Sequence, residues 1–78
     1  MKEELIKLRE VKVKLIDEQK QLSLNTEKLN LFLYTEEFDL LDREYRHLLI
    51  EQYAYMKNYL RVLNKRIALV NADIKNFK

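Results

Sequence analysis

The chain of 78 residues contains no glycine and no proline, and this absence constrains its fold more than any other feature. Short strands have to be joined by tight turns, which depend largely on the positive φ angles that glycine adopts easily. Leucine, lysine and glutamate are abundant instead, and these side chains lose little rotamer freedom in a helix. The sequence therefore predicts an all-α fold built from very few, long helices.

The small size of the chain predicts that it self-associates. A chain of this length is one domain at most, and such a domain buries only ~60% of its unfolded surface. Disulfides, a metal or oligomerisation usually supply the missing stability. The sequence has no cysteine and a single histidine, His47, so neither a disulfide nor a cysteine–histidine metal site is expected. We therefore expect a homo-oligomer without a cofactor.

Leucine recurs at every seventh position in the first half, which predicts an amphipathic helix over about residues 3–34. A break follows at residues 35–42, where Thr35 can cap a short helical turn and Asp42 can cap a second long helix over about residues 43–76. Phe38 and Leu41 are expected to tuck under the connection. The second helix carries apolar residues at alternating spacings of four and three: Leu49, Tyr53, Met56, Leu60, Leu63, Ile67, Val70 and Ile74.

The two helices match each other as an antiparallel pair. Residues whose numbers sum to 78 then lie opposite one another, and all four heptad leucines meet apolar partners in this single register. The pairs are Leu8 with Val70, Leu15 with Leu63, Leu22 with Met56, and Leu29 with Leu49. The prediction is one helical-hairpin domain over residues 1–78. The alternative is a continuous parallel coiled coil ~115 Å long, which the capping residues at the break disfavour.

A second apolar stripe on the second helix exceeds what one partner helix can cover. It consists of Leu48, Tyr55, Val62 and Leu69, one residue in every seven. A two-helix seam needs only about two positions in seven. We expect this apolar stripe to be buried between subunits.

Charge is distributed unevenly along the chain. Residues 35–51 carry a net charge of −4 and residues 52–78 a net charge of +5, with no acid from 52 to 72. Lys57, Arg61 and Lys65 follow one helix face at spacings of four, where like charges repel. Either acids of the first helix, Asp17 and Glu18, lie near Arg61 and compensate, or this face binds an anionic partner.

Polar and aromatic residues lie beside this basic face at seven-residue spacing: Gln52, Tyr59 and Arg66. The hairpin register places Thr26 near Gln52 and Glu18 near Tyr59, which allows a buried polar network that fixes register. Alternatively, tyrosine rings stack on a planar ligand while arginine holds its phosphates. Under this second interpretation the candidate ligand-binding residues are Gln52, Tyr55, Tyr59, Arg61, Lys65 and Arg66.

Catalytic motifs are not found in the sequence. Phosphate-binding loops and dinucleotide fingerprints need glycine, and His47 by itself indicates a surface histidine. The acids of residues 36–42 are explained by the starts of helices and lack the spacing of a calcium loop. No apolar run approaches the ~20 residues that span a bilayer. We expect a non-enzymatic, cytoplasmic protein without a metal site, and nucleic-acid binding is disfavoured because only one half is basic.

A pattern over roughly residues 17–67 resembles a family of small phage-encoded helical proteins related to a protein of a crAss-like phage. The shared pattern is a K-L-x-x-F-L element, a turn with phenylalanine, and a second helix with spaced leucine, glutamine, methionine, tyrosine and arginine–isoleucine. The residues that carry it are Glu27, Lys28, Leu29, Phe32, Leu33, Thr35, Phe38, Glu44, Leu48, Leu49, Gln52, Met56, Tyr59, Leu63, Arg66 and Ile67.

The resemblance implies a phage accessory protein that acts in the host bacterial cytoplasm and interferes with a host process such as antiviral defence. The leading hypothesis is sequestration of a nucleotide-derived immune signal or of a host protein. A structural coiled-coil module for phage assembly is the alternative, and a nucleic-acid binder is the third. Hairpin packing does not require the chemistry of Gln52, Tyr59 and Arg66, which makes them the preferred site residues.

Overall fold

The computed structural model describes residues 2–77, and two long helices dominate them. Helix α1 spans Lys2–Phe32, helix α2 spans Glu36–Asp39 and helix α3 spans Arg43–Lys75. The described residues are 89% helical, and α1 packs against α3 as an antiparallel hairpin. Its backbone measures 57 × 14 × 14 Å. The predicted all-α helical hairpin is confirmed.

The connection between the long helices begins earlier than the sequence predicted. Helix α1 ends at Phe32, two residues early, because the next amides bond three residues back, from Tyr34 to Leu31 and from Thr35 to Phe32. Thr35 then caps α2, as predicted: its hydroxyl accepts a hydrogen bond of 3.2 Å from the amide of Phe38.

Asp42 precedes α3 as predicted, but its side chain makes no capping hydrogen bond. Its backbone carbonyl instead accepts the first helical bond, from the amide of Arg46 at 2.9 Å. Asp42 is thus the N-cap residue of α3, as predicted, although its carboxylate does not bond to the amides of the first turn. Helix α3 then continues without interruption to Lys75, where a lysine in the last turn suits the negative end of the helix dipole.

Phe38 closes the end of the hairpin. It is buried, and its ring meets that of Phe32 edge to face at 88°, with centroids 6.1 Å apart. This geometry is favoured for aromatic pairs. Leu41 beside it is half-buried. The predicted packing of Phe38 beneath the connection is confirmed.

The core of the hairpin is a thin seam between α1 and α3. Leu63 has no exposed surface, and Leu15, its predicted partner in the register, is also buried. Thr26 is buried too, and its hydroxyl donates to the carbonyl of Leu22 at 2.6 Å, so its polar group is satisfied within α1.

Within residues 2–77 no helix is long and apolar enough to cross a membrane.

Candidate ligand-binding surface

One edge of the hairpin carries an interhelical hydrogen bond between Tyr59 and Glu18. The Tyr59 hydroxyl donates to Glu18 Oε1 at 2.7 Å, while 43% of the residue remains exposed. This contact confirms that the register places Glu18 near Tyr59. The carboxylate fixes the phenol end, so the exposed part of the ring is held in one orientation at the surface.

Arg66 lies beside this pair. It lines a shallow cleft of about 280 Å³ together with Val11, Lys14, Leu15 and Glu18. The hydrogen bond to Glu18 raises the pKa of Tyr59 above its usual value of 10.0, and desolvation and the negative charge of Glu18 raise it further. The positive charge of Arg66 lowers the same pKa and partly offsets these effects. The cleft thus combines two cations with one carboxylate that is already bonded to a phenol.

Tyr55 lies about one helical turn before Tyr59. Its hydroxyl donates to Glu51 Oε1 at 3.0 Å, a bond between residues four apart on α3. That bond, followed by the negative charge of Glu51 and desolvation, raises the pKa of Tyr55. Gln52 is exposed and directs Nε2 toward the sulfur of Met56 at 3.8 Å, a weak acceptor. We call this surface, made of Gln52, Tyr55, Tyr59 and Arg66, the tyrosine flank.

A second surface on α3 is basic. We call it the basic groove, an open depression of about 490 Å³ whose lining combines apolar and cationic side chains. Its lining residues are Lys57, Leu60, Arg61, Asn64, Lys65 and Ala68. Lys57 Nζ lies 5.2 Å from the centroid of the Tyr53 ring, within the range of a cation–π contact.

The six predicted binding residues are therefore divided between two surfaces. A helix turns about 100° per residue, so Arg61 lies roughly 160° around α3 from Tyr59. Arg61 and Lys65 line the basic groove, whereas Arg66 lines the cleft beside Glu18. One subunit does not gather all six into a single pocket, and their binding roles remain predictions.

The structure also bears on how the basic face is stabilised. Arg61 donates from Nε and Nη2 to the side-chain oxygen of Asn58, at 3.1 and 3.0 Å, and Glu18 receives the Tyr59 hydroxyl. The hydrogen bonds of Arg61 thus go to its own helix rather than to Asp17 or Glu18. An amide relieves none of the like-charge repulsion with Lys57 and Lys65.

The buried polar network considered as an alternative is not formed within one subunit. Gln52, Tyr59 and Arg66 are exposed, and the hydroxyl of buried Thr26 bonds to its own helix rather than to Gln52. Burial of these polar groups would need a second subunit. Their exposure instead leaves donors and aromatic surface available to a ligand.

Sequence reasoning did not single out Glu51, Asn58 and Lys14, which contact or adjoin these surfaces. Glu51 precedes Tyr55 by four positions and Asn58 precedes Arg61 by three, so helical spacing could have revealed both contacts. Lys14 carries no local signal, because only the pairing of α1 with α3 brings it to the cleft with Arg66.

Among residues 2–77 no three histidine, cysteine or carboxylate side chains lie close enough to hold a metal ion.

Comparison with known proteins identifies a family. The family model described as Sequestin matches residues 9–69, most of the chain, so this protein belongs to the Sequestin family. No match to the chain was found among curated proteins or solved structures. The family name denotes sequestration, which agrees with a binding role rather than a catalytic one. The matched range contains both the tyrosine flank and the basic groove.

Proposed function

We propose that this protein is a non-enzymatic, phage-encoded binding protein that counters antiviral defence by sequestering a nucleotide-derived signal in the host cytoplasm. The observation that carries the proposal is the tyrosine flank: an exposed, oriented Tyr59 ring lies beside Arg66 on a family member named for sequestration. A base is planar and a phosphate is anionic, and these two groups are what an aromatic ring and a guanidinium bind.

The state of Tyr59 suits this role. The ordinary pKa of a phenol, 10.0, already keeps Tyr59 neutral at physiological pH, and the bond to Glu18 raises this pKa further, so Tyr59 presents no negative charge to a phosphate. Arg66 and Lys14 outnumber Glu18 among the charged groups of the cleft. Arginine offers a planar pair of donors to a phosphate, which lysine cannot match.

Self-association would complete the site. The apolar stripe of Leu48, Tyr55, Val62 and Leu69 is exposed in the hairpin and runs along the tyrosine flank, with Tyr55 common to both. If two copies bury this stripe against each other, Tyr59 and Arg66 of both subunits come to the rim of one contact. Positive charge in the resulting cleft is doubled, which strengthens attraction of an anion.

A second candidate function is capture of a host protein at the hairpin tip. Tyr34 and Leu40 are the most exposed of the large apolar residues described, and the acids Glu36 and Glu37 lie between them in sequence. An apolar anchor with a charged rim is the usual composition of a protein-binding surface. This tip is well separated from the tyrosine flank, so variants can distinguish the two functions.

The test of the proposal is titration calorimetry with adenosine diphosphate and with a cyclic dinucleotide as probes. Arg66→Ala should weaken binding by roughly 2–5 kcal/mol, because it removes a charged hydrogen bond to a desolvated phosphate. That loss corresponds to about 30-fold or more in Kd. Arg61→Ala is the matched control, since it makes the same change on the opposite side of α3 and should leave Kd unchanged.

Melting curves of each variant separate binding from stability. Arg66 is exposed, so Arg66→Ala should melt close to the unmodified protein. The tyrosine flank is refuted as the site if Arg66→Ala binds normally. Loss of binding in Arg61→Ala alone would move the site to the basic groove, and failure of both probes would direct attention to the hairpin tip.

A further inference from the structure

Helix α1 carries a second apolar face that the hairpin leaves uncovered. Ile6, Val13, Leu24 and Leu31 are each 55–61% exposed, although all four are large and apolar. At about 100° per residue these four positions fall on one line along α1, roughly opposite Leu15, which faces α3. We call this line the outer face of α1. It is separate from the apolar stripe, which belongs to α3.

We propose that the outer face of α1 is an interface with the same face of a second copy, packed antiparallel. The spacings along it are seven, eleven and seven residues, which read the same in both directions. Antiparallel pairing therefore sets Ile6 opposite Leu31 of the second copy and Val13 opposite Leu24 of the second copy. All four apolar residues of each copy meet apolar partners in one register.

Charges on both sides of the outer face match in that same register. Arg9 lies level with Glu27 of the second copy, and on the other side Glu10 lies level with Lys28 of the second copy. Symmetry repeats each pair, which gives four opposite-charge contacts. Arg9, Glu10, Glu27 and Lys28 are all exposed in the hairpin and free to adopt these pairings. Asp17 and Lys20 of both copies lie at the centre of the contact, so two negative and two positive charges meet there and their sum is zero.

Charge on the hairpin as a whole favours the antiparallel arrangement. A parallel pair would bring opposite flanks of the two helices together, so Arg9 would meet Glu10 and Glu27 would meet Lys28 of the second copy, and its rim would also be attractive. It would, however, set both acidic connections, residues 35–51 with a net charge of −4 each, at the same end of the pair. The antiparallel pair instead places each acidic connection beside the far end of the other copy, which includes the basic residues 52–78, and so avoids this repulsion.

The apolar stripe of α3 is a poorer partner for the outer face of α1. Its residues are spaced seven, seven and seven, so only two layers can coincide with a spacing of seven, eleven and seven. When Leu31 and Leu24 meet Leu48 and Tyr55 in an antiparallel pair, Val13 falls opposite Arg66. Pairing each surface with the same surface of a second copy therefore covers more apolar residues than pairing the outer face of α1 with the apolar stripe.

The interface is small, which determines how it has to be measured. From Ile6 to Leu31 it extends roughly 38 Å, and a helix is about 10–12 Å wide. Such a strip is smaller than the ~800 Å² per partner of a standard interface. We therefore expect a reversible, concentration-dependent contact, and because the outer face of α1 and the apolar stripe lie on different sides, both can operate in one assembly.

Sedimentation equilibrium from micromolar to millimolar concentration tests the charge pairing. Arg9→Glu and Glu27→Arg should each weaken self-association about tenfold, because each replaces two symmetry-related attractions with repulsions. The double variant Arg9→Glu with Glu27→Arg should restore it. Lys7→Glu, with the same charge change roughly 160° around α1 from Arg9, is the matched control and should behave as the unmodified protein.

Spin labels at Lys7→Cys, which makes none of the proposed contacts, report orientation within the assembly. The antiparallel register separates the two labelled positions by 23 residues along the axis, roughly 35 Å. The proposal is overturned if the labels of paired copies lie side by side, if the single charge variants associate normally, or if the double variant fails to restore association. Circular dichroism of each variant verifies that the hairpin is folded.

Discussion

Truncation of Leu63 to alanine should remove a large part of the hairpin's free energy of unfolding. Leu63 has no exposed surface and lies in the layer predicted to contain Leu15, which is also buried. Burial this complete puts the cost of Leu63→Ala at ~3 kcal/mol, within the ~2–5 kcal/mol found for buried leucines. Small domains have total stabilities of ~5–15 kcal/mol, so the loss is a large fraction of the total.

Thermal and urea unfolding, followed by far-UV circular dichroism at low protein concentration, measure this cost. One kcal/mol moves the melting temperature of a domain of this size by ~4–8 °C, so Leu63→Ala should lower it by about 12 °C or more. Leu69→Ala is the matched control on the same helix. Leu69 is 67% exposed, so its truncation should cost less than ~1 kcal/mol in the isolated hairpin.

The reasoning is refuted if Leu63→Ala and Leu69→Ala destabilise the protein equally at low concentration. Equal costs would mean that the seam between α1 and α3 is not where the chain buries its apolar surface. A cost at Leu69 that emerges only at high concentration would instead locate that residue at a subunit interface.

Three further predictions follow from individual contacts. Tyr59→Phe removes the bond to Glu18. Since that bond raises the pKa of Tyr59 in the folded protein, its stabilisation is present below pH 10.0 and is lost as pH rises through the folded pKa. Between neutral and strongly alkaline pH, the melting temperature should therefore fall less steeply in Tyr59→Phe than in the unmodified protein. Thr35→Ala removes the cap of α2 and should cost ~1 kcal/mol in urea unfolding, whereas Thr35→Ser should cost much less. Val62→Glu should reduce association through the apolar stripe, measured by light scattering, while helicity is retained.

Each of these predictions has an outcome that contradicts it. The Tyr59–Glu18 contact has no energetic role if both proteins lose stability identically at alkaline pH. Equal destabilisation by alanine and serine at Thr35 would show that its hydroxyl does not act as a cap. Unchanged association in Val62→Glu would leave the apolar stripe uncovered by a second subunit.

The fold was predictable because several local signals agree. The heptad leucines, the break at residues 35–42 and the shared register all indicated a hairpin, and the burial of Leu15 and Leu63 follows from that register. The N-cap position of Asp42 was predictable too, but the lack of a side-chain hydrogen bond there was not, since whether a carboxylate turns back onto the helix depends on local backbone angles. The early end of α1 likewise depends on turn geometry rather than on periodicity.

The candidate site was predictable in composition but not in arrangement. Helical spacing identified Tyr59 and Arg66, and the register brought Glu18 to Tyr59. The division between the tyrosine flank and the basic groove follows from the angle around α3, which separates Arg61 from Tyr59. The bond from Arg61 to Asn58 was missed because a local amide competes with the carboxylates of α1.

Native mass spectrometry of the protein purified from bacteria with an activated antiviral defence tests sequestration most directly. The proposed function predicts an oligomer whose mass exceeds that of the polypeptide by a retained nucleotide-derived ligand, and a ligand-free oligomer for Arg66→Ala purified in the same way. A protein that carries no small ligand under these conditions, or that retains a host polypeptide instead, would contradict it.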